Sequence, residues 1–462
     1  MSLYIRNSLS RKKEEFIPLN PPKVNIYTCG VTVYDESHIG HARSLYIFDV
    51  IRRYLKFRNF KVNFVRNITD IDDKIINRAN ELKVDWKDLI KKYIDRYYED
   101  LSALGIEKAD FEPRASENIP DMIKYIEGLI AGGYAYVTES GLYFNVRKFK
   151  DYGKLSGQGI DQMLVGVRKE PDETKDDPLD FALWKKAKPD EPFWDSPWGK
   201  GRPGWHIECS VMSQKFLKTE TLDIHAGGRD LIFPHHENEI AQAEALTGKP
   251  FARYWIHHGL LTINGQKMAK SAGNFVTIKD FISKYKDVDI LKLFFLSAHY
   301  SHPIDYNDKK IEETKEALER ILILLGKIGR KGLKVGVGLK HQELKEMKEK
   351  FIQAMDDDFN LPEGLAVIFE IVNLANKNIQ DVEFASEAKN LLWELKDIFA
   401  LDLKNKITAK DLSSDIKGSI EKRNAARKSG DFAEADRIRK DLEEQGIILE
   451  DTKDGTVWRR KL

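Results

Sequence analysis

Val24-Asn25-Ile26-Tyr27-Thr28-Cys29-Gly30 leads, eight residues on, into His38-Ile39-Gly40-His41, and this junction decides the fold. Val24 to Tyr27 reads as an extended apolar strand. Beyond the histidines, Leu45, Phe48, Ile51 and Leu55 recur three and four apart, which predicts a helix over Ala42 to Phe57. Val62 to Val65 is a second strand, and Ile71 to Leu104 is largely helical in pattern. Strand, helix, strand, helix in this order predicts a parallel doubly wound sheet, whose ligands bind at the carboxyl ends of its strands. Cys29 and both histidines fall at such an end.

Between about 110 and 200 the pattern breaks into aromatic and Pro/Gly-rich pieces such as Leu142-Tyr143-Phe144 and Ser196-Pro197-Trp198-Gly199, read as an insertion. The alternation returns with a strand Leu222 to His225, a loop Ala226 to Asp230, a helix from about His235 to Leu246 and a strand near Trp255 to Ile263. Past about 310 helical periodicity dominates, over Ala317 to Ile328, Glu343 to Met355 and Gly364 to Asn376. A polar linker near Leu403 to Asp411 leads to two short helices and a hairpin turning at Asp454-Gly455. The expected architecture is α/β: a Rossmann-like domain over 1–302 with its insertion, an α-helical bundle over 303–402, and a small mixed C-terminal domain over 403–462.

With 462 residues the chain can bury a large core. Lys plus Arg number 75 against 74 Asp plus Glu, so a net charge of +1 gives no global attraction to nucleic acid or to an anionic membrane. Any RNA contact must use local patches. Apolar runs such as Leu291 to Leu296 fall far short of the ~20 residues a membrane span needs, and Met1 to Lys13 lacks the apolar core of a signal peptide. A cytoplasmic protein without membrane contact is the expectation. Two cysteines cannot build a disulfide scaffold, which turns attention to what Cys29 and Cys209 do singly.

A helix starting near Ser37 to Gly40 presents unsatisfied amides with partial positive charge, and His38 and His41 project from its first turn. Gly40 leaves room for a base or ribose. Far downstream, Lys267-Met268-Ala269-Lys270-Ser271 puts two flexible ammonium groups and a hydroxyl on a Gly-containing loop. The two motifs read as jaws that close on ATP, the imidazoles stabilising a pentacovalent α-phosphate and Lys267 and Lys270 the departing pyrophosphate. Gly228 and Asp230, on the loop after the Leu222 strand, are candidates for ATP contact, Asp230 with the adenosine or with the substrate α-amino group. His235 and Glu239 lie four apart on a predicted helix and can converge on one ion. With Cys29 and Cys209 they form a set that suits zinc better than magnesium or calcium. His236 and Glu237 remain alternatives by composition.

Together, Tyr27 to His41, Asn67-Ile68-Thr69-Asp70-Ile71-Asp72-Asp73-Lys74, Gly204-Trp205-His206-Ile207-Glu208-Cys209-Ser210, Phe233 to Glu239 and Lys267 to Ser271 resemble the cysteinyl-tRNA synthetases, a class I aminoacyl-tRNA synthetase family. The resemblance spans nearly the whole chain; Ala269 stands where the family signature commonly has serine, which removes one hydroxyl but neither lysine. It implies zinc bound by Cys29, Cys209, His235 and Glu239, an ATP site including His38, His41 and Lys270 and used with Mg2+, and a cysteine pocket near Gly30, Thr69 and Trp205. The expected activity is formation of cysteinyl-adenylate and transfer of cysteine to the 3′ end of tRNA(Cys). A mycothiol-pathway ligase that passes cysteine to an amino sugar shares the adenylation motifs, but would have no use for a basic C-terminal hairpin. There, Trp458, Arg459 and Arg427 offer a platform and cations for unstacked bases, and Asp436 and Asp451 offer acceptors.

Overall fold

The computed structural model describes residues 2–164, 174–269, 273–330, 338–403, 414–445, 447–452 and 455–460. A small hairpin, β1 (Tyr4–Asn7) and β2 (Lys12–Glu15), precedes β3 (Lys23–Thr28), α1 (Ile39–Phe57), β4 (Lys61–Arg66), α2 (Asp73–Leu82) and α3 (Trp86–Ala103). The insertion carries α4 (Ile119–Ala131), β5 (Ala135–Val137), β6 (Gly141–Phe144), α5 (Ile160–Leu164), β7 (Phe181–Lys186) and β8 (Gly201–Pro203). Then follow α6 (Trp205–Leu217), β9 (Leu222–Gly228), α7 (Glu237–Thr247), β10 (Ala252–His258), β11 (Leu261–Ile263), β12 (Gln266–Lys267), α8 (Ile278–Tyr285), α9 (Val288–Leu296) and β13 (Ile304–Tyr306). Four long helices come next: α10 (Asp308–Arg330), α11 (Gln342–Asp356), α12 (Leu361–Lys377) and α13 (Val382–Ile398). The chain closes with α14 (Ser414–Lys428), α15 (Phe432–Glu444), β14 (Ile447–Thr452) and β15 (Gly455–Arg460).

The central sheet is parallel, in the order β10-β9-β3-β4. From β3 the chain winds outward through α1 to β4; from β9 it winds the other way through α7 to β10. The order therefore reverses between β3 and β9, and a crevice opens at their carboxyl ends. Both faces are covered: Val24, Ile26, Phe64, Tyr254 and Ile256 enter one core, while Tyr27, Val65 and Trp255 enter the other. That two-sided burial explains why apolar residues on these strands occupy successive positions, as in Ile26-Tyr27 and Phe64-Val65, rather than every second one. The insertion forms its own antiparallel sheet, β5-β6-β7-β8.

Local departures from the sequence pattern have local causes. β9 continues through Ala226, Gly227 and Gly228, which the glycines had marked as loop. The apolar stretch Trp255 to Ile263 is two strands in two sheets, because Gly259 crosses the chain at His302 so closely that a Cβ would lie 2.2 Å from that carbonyl. The helix expected from His235 starts at Glu237, after a bulged turn Ile232–His236 in which Phe233 has extended angles (φ −136°, ψ 132°) before Pro234. The Leu403 to Asp411 linker lies, from 404 on, outside the described residues, as does Asp454. The C-terminal helices and hairpin share a core of Ile420, Ile438, Leu442, Ile447 and Leu449. Among the described residues no helix is long and apolar enough to cross a membrane.

Candidate active site

At the crevice, β3 delivers Cys29, whose amide bonds Ala226 O on β9 at 3.3 Å. Cys209 comes from α6, His235 from the bulged turn and Glu239 from α7. Their donor atoms, with that of Cys29, lie within 4.8 Å of one another and could hold a metal ion. Cys29 Sγ is 3.8 Å from Cys209 Sγ and 3.6 Å from Glu239 Oε1; Cys209 Sγ is 3.6 Å from His235 Nε2, which is 2.8 Å from Glu239 Oε1. A second set, Cys29, His225, His236 and Glu239, meets the same distance limit. Its closest pairs sit at hydrogen-bond range, His225 Nε2 to Glu239 Oε2 at 2.5 Å and Cys29 Sγ to His236 Nε2 at 3.2 Å. The sequence reading missed His225 and the outer imidazoles. His206 Nδ1 meets His235 Nδ1 at 2.9 Å, and His257 Nε2 meets His236 Nδ1 at 2.8 Å. Their only sequence signal is position beside the cysteine, at a strand's carboxyl end or both.

Electrostatically the cluster is tightly compensated. Burial works against ionisation of Cys209, but hydrogen bonding with Cys29 and the field of His235 bring it down to about 6. Burial and the neighbouring Cys209 and Glu239 push Cys29 up. His235, despite burial, rises to about 10 against Glu239 and Cys209. Ionisable thiol, imidazole and carboxylate groups thus sit against one another with little access to water, an arrangement typical of a site for chemistry rather than of a core.

Trp205, 37% exposed, stacks on the His235 ring with centroids 4.0 Å apart. Thr69 is buried beneath and donates from Oγ1 to Glu208 Oε2 at 2.8 Å. Burial and the charge of Cys209 push the Glu208 carboxyl well up. Gly30 donates its amide to Asn67 Oδ1 at 2.8 Å, and a Cβ there would lie 1.5 Å from the Asn67 carbonyl oxygen.

His38 is the N-cap of α1: its Nδ1 accepts from the amides of Gly40 (3.0 Å) and His41 (3.2 Å), and His41 Nδ1 accepts from the His38 amide at 3.3 Å. With Nδ1 accepting, each neutral ring carries its proton on Nε2. The rings stack at 3.7 Å, and burial with the adjacent His38 and Lys74 lowers His41 to about 3, so it stays neutral. Phe275 packs edge-on to His38, Ile39 N bonds Val276 O (3.0 Å) and Ile278 N bonds Ser37 O (3.0 Å). This seam brings the loop after β12 to the start of α1, where Met268 Cε lies 3.3 Å from the point a Gly40 Cβ would take. Lys267 is exposed on β12; Asn274 closes the loop through Ala269 N (2.9 Å) and Lys267 O (3.2 Å). Lys270 and Ser271 lie outside the described residues. Gly228 ends β9, and exposed Asp230 folds back so that a Gly228 Cβ would lie 2.4 Å from its Oδ1.

Arg43, one turn into α1, is fully buried. It donates to the carbonyls of Gly259 (2.6 Å), Leu260 (2.9 Å), Tyr300 (3.3 Å) and His302 (2.6 Å), and has no carboxylate partner among the described residues. At the far end of the chain Asp451 accepts from Arg423 Nη2 at 2.7 Å and pairs with Arg427, which hold it well below the usual carboxylate range, while Asp436 is exposed. Trp458 and Arg459 lie on β15, paired with Leu449 and Ile448 of β14.

The fold, with its switch-point crevice and paired motifs, is that of a class I aminoacyl-tRNA synthetase. Solved structures of this class match at low identity: methionyl-tRNA synthetase of Mycobacterium tuberculosis with methionyl-adenylate (TM-score 0.61, 15% identity, 84% of this chain and 92% of that one). The leucyl enzyme of Agrobacterium radiobacter in a ternary complex gives a TM-score of 0.62 at 10% identity, covering 86% of each chain. Family models match over residues 15–316 (tRNA synthetases class I (C) catalytic domain), 350–404 (DALR domain) and 409–459 (cysteinyl-tRNA ligase anticodon binding domain). Cysteine–tRNA ligases of Aquifex aeolicus (50% identity, 100% of this chain and 99% of the relative) and Anoxybacillus flavithermus (48%, 100% of both) align end to end. The chain belongs to the cysteine–tRNA ligase family.

Proposed function

We propose that the chain joins cysteine to ATP as cysteinyl-adenylate and then esterifies the 3′-terminal adenosine of tRNA(Cys), in the cytoplasm. ATP enters as its magnesium complex. The substrate carboxylate attacks the α-phosphate and pyrophosphate leaves; a ribose hydroxyl of the tRNA then attacks the acyl carbon and AMP leaves. No protein nucleophile is required, so the residues act by orientation and by electrostatic stabilisation. The Nε2 protons of His38 and His41 stabilise charge on the α-phosphate, Lys267 and Lys270 follow the charge onto pyrophosphate, and Gly228 and Asp230 contact the adenosine. Gly30, Thr69 and Trp205 frame the amino acid. Arg427, Asp436, Asp451, Trp458 and Arg459 make the anticodon face, with the Arg423–Asp451–Arg427 cluster setting the cations in place.

Cys29, Cys209, His235 and Glu239 would hold zinc. The 3.8 Å and 3.6 Å separations among these donors leave space for an ion, while the 2.8 Å His235–Glu239 contact and the 3.2 Å and 2.5 Å contacts of the second set are at hydrogen-bond range; the first set is preferred because it brings both thiols together. His225 on Glu239 and His206 on His235 then act as orienting partners. When bound, zinc supplies a soft Lewis acid that prefers a substrate thiol to a hydroxyl. Such a preference is needed, because pocket shape separates near-isosteres such as cysteine and serine by only ~1 to 3 kcal/mol, while accurate charging requires a ratio of ~10⁴ to 10⁵. With the metal held by Cys29, Cys209, His235 and Glu239, it would supply an acceptor for the substrate thiol.

The convergence of those four donors beside the α1 histidines carries the reading. Metal analysis with amino-acid-dependent exchange of pyrophosphate into ATP tests it: about one zinc per chain, and exchange with cysteine but not serine, are expected. Cys209→Ser should lose zinc and cysteine binding and keep ATP binding. Undiminished cysteine affinity in that variant would remove the metal assignment.

A further inference from the structure

A cavity of about 560 Å³ lies outside the ATP and donor-cluster residues, on the outer edge of the central sheet. Three separate stretches wall it: the β1–β2 hairpin with Arg6, Ser8 and Arg11; the insertion with Leu155 and Ser156; and the chain around Arg229, Ile232, His257 and the 299–302 segment. Its cations are conspicuously unbalanced. Arg6, Arg11 and Arg229 have no carboxylate in ion-pair range among the described residues, and Arg11 reaches only the Ser156 carbonyl, at 3.2 Å. The one acidic lining residue, Asp358, is already committed: it accepts from the Arg6 amide (2.8 Å) and the Tyr300 hydroxyl (2.6 Å) and lies 3.6 Å from His299 Nε2. Three guanidinium groups line one hollow beside a single carboxylate, a setting whose excess positive charge favours an anion.

The size and the walls narrow the anion. The space far exceeds one phosphate group and falls within the range of sites that take nucleotide-sized ligands. Leu155 and Ile232 add apolar wall for a base. The cavity also adjoins the donor cluster through a short chain of contacts: Ser8 Oγ to His257 Nδ1 (2.8 Å), His257 Nε2 to His236 Nδ1 (2.8 Å) and His236 Nε2 to Cys29 Sγ (3.2 Å).

The geometry points to this cavity as the seat of the phosphodiester backbone of the tRNA's single-stranded 3′ tail, held by Arg6 and Arg11 while its last nucleotide reaches the adenylate. The inference rests on the charging reaction proposed above and adds a binding site to it. A single strand carries a charge at every nucleotide and can bend into a hollow that a duplex cannot enter. Arg6 and Arg11 are exposed, so replacing them leaves the core intact.

The test uses the full-length chain as R6Q/R11Q. Cysteine-dependent pyrophosphate exchange should match wild type, which also shows that the variant is folded. In charging assays KM for tRNA should rise about tenfold, and the slope of log KM against log salt should fall by about 1.4, about 0.7 for each lost phosphate contact on a single strand. R6K/R11K should restore most of the affinity. A tRNA trimmed of its single-stranded 3′ tail should bind variant and wild type equally. Unchanged KM, a parallel loss of exchange that would mark the cavity as part of the ATP site, or a defect that persists with the trimmed tRNA would each overturn the assignment. Absence of exchange in the wild type would instead sink the proposed function itself.

Discussion

Arg43 sits two residues beyond His41, buried, with four backbone carbonyls as its only hydrogen-bond acceptors among the described residues. A cation taken out of water without a counter-charge is costly, and burial lowers even this guanidinium to about 10. What it holds explains the arrangement. Its acceptors lie on both sides of the crossing where the β10–β11 connection passes the 300–304 segment, so one side chain ties the histidine-bearing helix to the strand that leads into the Lys267 loop. Arg43→Met should lower stability by about 3 kcal/mol or more, since each hydrogen bond to a charged group is worth about 1.5 to 3 kcal/mol. Arg43→Lys, which keeps the charge but not the fork, should retain most of the fold and lose at least about tenfold in exchange kcat with ATP binding nearly kept, because small misplacements of reacting groups are expensive in rate. Denaturant titration beside exchange kinetics separates the two effects. Arg43 was invisible to sequence reading, since nothing in His41-Ala42-Arg43 tells which distant carbonyls will come within reach. The His38 and His41 turn was legible because its determinants are local: a cap, a glycine and the apolar spacing that follows. The donor cluster was partly so. Residue types identified Cys29, Cys209, His235 and Glu239, but the choice of His235 over His236 assumed a regular helix, and in the bulged turn both rings reach the cysteines.

At the scale of elements, α2 is pinned to the insertion by a single carboxylate. Asp73, the first residue of α2, bonds Lys185 of β7 at 2.7 Å and pairs with Arg202 of β8. Burial alone would raise its pKa; the two cations outweigh burial and lower it from 3.8 to about 2. A folded-state value below the unfolded one adds stability that is present above about pH 4 and lost as pH falls toward 2. With half its side chain exposed, the gain is modest. Asp73→Asn should lower stability modestly at pH 7 and leave it close to wild type near pH 2, so that the profile between pH 4 and 2 is shallower, as thermal melts across that range would read. A wild-type profile already flat there would show the pair to be inert. The alternation of strands and helices was readable in the sequence because both sheet faces are buried. The break at Gly259 and the reach of β9 through two glycines were not, because crossing and pairing partners, rather than propensity, set those limits.

Across the whole molecule, the residues proposed for adenylation and the C-terminal helices and hairpin draw on different cores, the latter on a group of five buried residues. Ending the chain near residue 410 should therefore keep cysteine-dependent exchange close to wild type while tRNA charging falls steeply, an outcome that parallel exchange and charging assays would read. Equal charging by the shortened chain would reject the anticodon role of Trp458 and Arg459.

Gly30 has a consequence for how this pocket can change. With the Asn67 carbonyl occupying the place of any Gly30 side chain, the floor of the amino-acid pocket proposed above would be bare main chain, beyond the reach of a side-chain substitution at Gly30. Mutational drift toward a different substrate is thereby barred from the pocket's base. It is left to act on the walls and on the donors, where a change that admits another amino acid also discards the group that selects the present one.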